Sequence, residues 1–134
     1  VTFELNLPDV VDEVRAEFES YERALVGRDL AAMKSSFVSS PEVVRFGVAD
    51  RQRGPEELAQ WRANQAPLPP GRHLTETLVT TYGRDVAVVT TLFSYPGRPM
   101  TGRQSQTWLR FDDGWRIVHA HVSEVKTSGE RGSG

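Results

Sequence analysis

Four runs rich in β-branched and aromatic residues, at positions 73–82, 85–95, 103–111 and 115–123, follow one another with only short turn signals between them. Gly83-Arg84 separates the first two, Pro96-Gly97-Arg98-Pro99 the next two, and Asp112-Asp113-Gly114 the last two. Strands joined so closely lie antiparallel, and a sheet built from them needs a cover for one face. The first half of the chain supplies that cover. Val11, Val14, Phe18, Tyr21 and Leu25 recur at steps of three and four residues and predict a helix over 9–26. Pro8, Asp9, Asp12 and Glu13 suit its start, and Gly27 is the predicted stop. Asp29 is a good N-cap for a short second helix carrying Leu30, Met33 and Phe37. Residues 43–48 read as a strand, and Gly54-Pro55-Glu56-Glu57 opens a third helix with Leu58, Trp61, Arg62 and Gln65. Helices first and hairpins afterwards predict an α+β fold, in which a twisted sheet curls around the leading helix and leaves a cavity between the layers.

A chain of 134 residues suits one domain, expected over 1–125, with a weakly ordered polar tail over 126–134. The absence of cysteine excludes disulfides and thiolate metal sites. No run is apolar enough to span a membrane, and the first residues lack the pattern of a signal peptide, so the expected location is cytoplasmic. A net charge of −2 leaves no basic footprint for nucleic acid. The 16 basic residues are arginine except for Lys34 and Lys126, and arginine suits planar, two-pronged recognition of carboxylates.

Tyr21 lies on the apolar helix face, so its hydroxyl needs a partner, either a core carbonyl or a ligand. Arg45 interrupts an apolar strand and must meet either a buried carboxylate or an anionic ligand. Arg62, beside Trp61, either closes the pocket or faces water. A three-residue turn at 112–114 would pair Phe111 with Trp115, Leu109 with Ile117, Thr107 with His119 and Ser105 with His121. That register puts Ser105, Thr107, His119 and His121 on the pocket face. It leaves Trp108, Val118, Ala120 and Val122 outside as a candidate subunit contact. His119-x-His121 also has metal-ligand spacing, with His73 a conceivable third ligand, but no carboxylate stands at a spacing that completes a triad. Hydrogen bonding and acid–base work are the competing roles for the pair. There is no phosphate loop and no nucleophile elbow.

Gln104-Ser105-Gln106-Thr107-Trp108, Gly114-Trp115-Arg116-Ile117-Val118 and His121-Val122-Ser123 resemble the AtzH-like family, in the SnoaL-like branch of the NTF2-like superfamily. Phe18-Glu19-Ser20-Tyr21-Glu22, Val44-Arg45-Phe46-Gly47 and Thr80-Thr81-Tyr82-Gly83-Arg84 fit as well, so the resemblance runs from about Asn6 to Val125. That family includes the oxalurate-catabolism protein HpxZ. The resemblance implies a cone-shaped barrel, N-terminal helices on a strongly curved and mainly antiparallel sheet, and a homodimer formed through the sheet. It also implies a role in breakdown of small nitrogenous compounds such as cyanuric acid, alongside an amidase. The implied activity is decarboxylating, metal-independent amide hydrolysis of 1,3-dicarboxyurea to allophanate, without a cofactor. Tyr21 and Arg45 match the family's essential pair, and Arg62 would hold a second substrate carboxylate. The alternative is a non-catalytic binding or accessory subunit for a partner amidase. Isomerase or dehydratase chemistry is disfavoured, because no inward Asp or Glu is evident on the later strands.

Overall fold

The computed structural model describes residues 2–127. Helix α1 (Pro8–Gly27) begins with proline at its first position and buries Val10, Val14, Phe18, Tyr21 and Ala24 along one side. Each fully buried Val or Phe on that side contributes roughly 1.5–3 kcal/mol. The helix ends one residue later than expected. Arg28, rather than Gly27, takes the left-handed cap at φ 54°, and Asp29 N–H donates to the Ala24 carbonyl at 2.9 Å. The Arg28 guanidinium offsets that strain by donating to the carbonyls of Ala63 and Gln65, which ties α1 to the end of the third helix. Asp29 caps α2 (Leu30–Ser36), its carboxylate accepting from Ala32 N–H at 3.1 Å.

The sheet has six strands in the order β2-β1-β6-β5-β4-β3: β1 (Val44–Phe46), β2 (Arg51–Arg53), β3 (His73–Tyr82), β4 (Val86–Ser94), β5 (Met100–Phe111) and β6 (Gly114–Lys126). Between β2 and β3 lies α3 (Gly54–Asn64). All neighbouring strands are antiparallel except β1 and β6, which run parallel. The short β2 has no β-branched residue; Arg45 pairs with Gln52 to hold it in place. Lys126 is the last residue of β6 and Thr127 N–H donates to the Pro99 carbonyl; the remainder of the expected tail lies outside the described residues.

The β5–β6 hairpin departs from expectation in a way that decides the pocket. Its turn has two residues, Asp112 and Asp113, so Phe111 pairs with Gly114, Arg110 with Trp115 and Trp108 with Ile117. A β-bulge at Val118 then absorbs one residue, and Thr107 meets His119 and Ser105 meets His121 as anticipated. The extra residue reverses the faces. Trp115 and Ile117 point into the core before the bulge, and Ala120 does so after it. On β5 the inward set is Gly102, Gln104, Gln106 and Trp108, with Trp108 fully buried and its indole N–H donating to Gln106 Oε1 at 2.9 Å. The candidate subunit contact through Trp108 and Ala120 is therefore core instead.

Gly102 sits opposite Phe93 on β4, whose ring folds over the strand where a side chain would stand. A Cβ at Gly102 would lie 2.0 Å from the ring. Gly102→Ala should therefore lower the denaturant midpoint by the equivalent of about 1–3 kcal/mol with the slope unchanged. An unaltered midpoint would mean the Phe93 ring moves aside freely.

Candidate functional site

Between the helices and the inner face of the sheet lies a cavity of about 340 Å³. Five arginines line it; Arg28 and Arg98 are exposed, while three from different segments are withdrawn from solvent: Arg45 on β1, Arg62 on α3, and Arg72 just before β3. These three differ in how their charge is compensated.

Arg72 is closed off. Its Nε and Nη2 grip both Glu22 oxygens at 2.9 and 3.3 Å, its Nη1 donates to Tyr95 Oη at 2.9 Å, and its Nη2 also donates to Gln104 Oε1 at 3.1 Å. Gln104 Nε2 donates to Glu22 Oε2 at 3.0 Å and completes the network. The guanidinium carbon stands 4.3 Å from the Phe93 ring centre, so Gly102, which makes room for that ring, supports Arg72 as well. Burial acts against the charge on Arg72, but hydrogen bonding and attraction from Glu22 outweigh it and hold the guanidinium above its ordinary value.

Arg45 is partly paired. Its Nη1 donates to Asp50 Oδ1 and Gln52 Oε1, each at 2.9 Å, and its guanidinium stacks 3.8 Å from the Trp61 ring centre. Burial pulls it below the ordinary arginine value, with Asp50 pulling in the other direction. Both readings of Arg45 thus remain compatible: it meets a carboxylate and also lines the cavity.

Arg62 is the exception. It is only 7% exposed, and among the described residues no carboxylate stands within ion-pair distance of it. Its Nη2 donates to Tyr21 Oη at 2.6 Å and its Nη1 to Met33 Sδ at 3.3 Å. The rings of Trp61, Phe37 and Tyr21 surround it at 5.2, 5.3 and 5.6 Å. The possibility that Arg62 faces water is therefore corrected: α3 turns it inward beside Tyr21. A buried guanidinium held by aromatic faces, a phenol oxygen and a thioether has no carboxylate to pair with and invites an anion.

The structure brings Tyr21, Arg45 and Arg62 to one cavity. Ser105, Thr107, His119 and His121 do not reach it. The two-residue turn places Ser105 and Thr107, and the bulge at Val118 places His119 and His121, on the outer face of the sheet, where His119 Nδ1 lies 2.9 Å from the Val44 carbonyl oxygen and Phe46 packs edge-on against both histidines. His73 begins β3, at the opposite edge of the sheet from β1 and β2. Among the described residues no three His, Cys, Asp or Glu side chains gather as metal ligands. Sequence reasoning missed Glu22, Arg72, Gln104, Tyr95 and Asp50. It also missed Glu124, an acid on a late strand that does border the cavity. The adjacency of Glu22 to Tyr21 was the one available signal, since a charged residue flanking an apolar helix stripe can turn inward with it.

The profile of the AtzH-like family matches residues 3–128, nearly the whole length described. The chain belongs to the AtzH-like family. A cystatin-like fold protein of Burkholderia xenovorans LB400 is 47% identical and superposes with a TM-score of 0.90, covering 93% of this chain and 98% of its own. A DUF3225-family protein of unknown function from Pectobacterium atrosepticum SCRI1043 is 40% identical, with a TM-score of 0.88 over 91% and 95%. An NTF2-like superfamily protein of Salmonella enterica serovar Typhimurium is 26% identical, with a TM-score of 0.68 over 90% and 94%. No curated protein matches the chain. The AtzH-like fold is thus that of the NTF2-like superfamily, and no helix among the described residues is long and apolar enough to cross a membrane.

Removing the Glu22 charge strands Arg72 in the AtzH-like pocket. Glu22→Gln should cost about 3–5 kcal/mol in urea unfolding. A wild-type midpoint would mean that Tyr95 and Gln104 hold the guanidinium without a carboxylate.

Proposed function

We propose that this AtzH-like protein binds a small ureide carrying two carboxylates, 1,3-dicarboxyurea, and converts it to allophanate. The observation that carries this reading is the Arg62–Tyr21 hydrogen bond of 2.6 Å. Arginine only donates, so Tyr21 Oη is the acceptor there and the phenol's own proton remains free for a ligand. Tyr21 Oη donates to no other group among the described residues. One substrate carboxylate would lie against Arg62 and the other against Arg45.

In the reaction the bond between one nitrogen and its carboxylate carbon breaks, and the electron pair stays on nitrogen. That nitrogen takes the Tyr21 proton, carbon dioxide departs and hydrates to bicarbonate, and Tyr21 recovers a proton from water. The Arg62 guanidinium, already bonded to Tyr21 Oη, stabilises the negative charge that develops on the oxygen as the proton leaves. The reaction uses positioned groups of the chain alone. N-carboxylates are intrinsically labile, so modest assistance suffices.

Assembly of two copies through the outer face of the sheet, and a functional link to an amidase that consumes allophanate, belong to the same proposal. Phe46, 41% exposed between His119 and His121, supports a contact on that face.

With freshly generated 1,3-dicarboxyurea, allophanate should form faster than in an enzyme-free control. Tyr21→Phe, which keeps the ring and removes the proton, should lose about a hundredfold or more of that excess rate while melting normally. A wild-type rate equal to background, with tight binding retained, would instead make the protein a carrier or accessory subunit.

A further inference from the structure

The pocket contains one arrangement twice. In each copy a guanidinium donates to a glutamine amide oxygen, the same glutamine's nitrogen donates to a carboxylate, and that carboxylate pairs with the guanidinium. Arg72, Gln104 and Glu22 form one triangle. Arg45, Gln52 and Asp50 form the other, with Gln52 Nε2 donating to Asp50 Oδ1 at 3.1 Å. Both glutamines are buried, at 7% and 4% exposure, so each triangle has a fixed member.

The two triangles differ in how completely they are closed. All three nitrogens of Arg72 are engaged, and the side chains of the Arg72–Glu22 pair are only 5% and 11% exposed. In the other triangle every acceptor gathers on the single nitrogen Nη1, which leaves Arg45 Nε and Nη2 without an acceptor among the described residues. The Asp50 side chain is 42% exposed, against 11% for Arg45. The turn between β1 and β2 is shaped to bring this carboxylate in. A Cβ at Gly47 would come within 2.3 Å of Asp50 Oδ1 and 2.6 Å of Arg45 Nη1, and Gly47 N–H donates to the Asp50 carbonyl at 2.8 Å.

We propose that Asp50 is a resident counter-ion that occupies Arg45 in the empty pocket and is displaced from it by the second carboxylate of a ligand carrying two anionic groups. This rests on the anion-pocket reading above and adds the residue with which the second ligand carboxylate must exchange. In the empty pocket Asp50 offsets part of the cost of burying the Arg45 guanidinium. A half-exposed carboxylate on a turn returns to water at small cost, whereas Glu22, enclosed by its triangle, has no such route. A monoanion is satisfied by Arg62 and Tyr21 and leaves Asp50 in place. A dianion that also reaches Arg45 gains paired, charge-assisted bonds at its second end. Arg45 and Arg62 both stand against the Trp61 ring, 3.8 and 5.2 Å from its centre, which sets the two anchors on one small platform.

Calorimetric titration with glutarate and butyrate, stable di- and monoanions of similar length, separates the alternatives. Asp50→Asn should bind glutarate about tenfold more tightly than wild type, with butyrate affinity unchanged. Asp50→Ser, which shortens the side chain as well, should show the same tightening. Equal changes for both probes, no change, or weaker glutarate binding would overturn the proposal and leave Asp50 as a group that positions Arg45. If wild type binds neither probe, the anion-pocket reading itself falls. If wild type binds glutarate and Asp50→Asn is indifferent, only the displacement falls.

Discussion

Burying Arg62 with no carboxylate beside it costs several kcal/mol, and the surrounding structure offsets that cost only in part. Three aromatic rings contribute cation–π attraction of about 0.5–2 kcal/mol each, and Tyr21 Oη and Met33 Sδ accept its hydrogen bonds. Tyr21 comes from α1, Met33 from α2, Phe37 from the end of α2, and Trp61 from α3 itself, so the three helices converge on one cation. None of these groups neutralises it. The remaining compensation is left to a ligand, and stability is given up at the site where function is exercised.

The other arginines make sense against that background. Arg72 has a dedicated carboxylate and is enclosed, so it acts as architecture: it binds α1 to the segment before β3 and to Gln104 on β5. Arg45 has a carboxylate on a turn that leaves part of its guanidinium without a partner. The charge of the cavity is thus graded from fully paired, through partly paired, to unpaired. A small anion placed in it is drawn toward Tyr21.

Much of this was legible in the sequence. The order of helices and hairpins predicted the α+β layers, the periodicity of α1 placed Tyr21 inside, and a charge in an apolar strand marked Arg45. The outer placement of His119, His121, Ser105 and Thr107 was not legible. It depends on one bulged residue, Val118, which carries no glycine signal, and on a turn of two residues in a run that also reads as three. Since side chains alternate along a strand, that single residue moves a whole set from one face to the other. The Glu22–Arg72 pair was hidden for a different reason: its members lie 50 residues apart, and only the folded sheet brings them together.

The claim that Arg62 carries an uncompensated charge reserved for a ligand is tested most directly by the urea midpoint of Arg62→Met, measured with and without glutarate. Methionine fills similar space without charge, so the variant should unfold at a higher urea concentration than wild type, while glutarate should raise the wild-type midpoint and leave the variant's unchanged. A variant that is less stable than wild type and still gains the full glutarate shift would contradict the account.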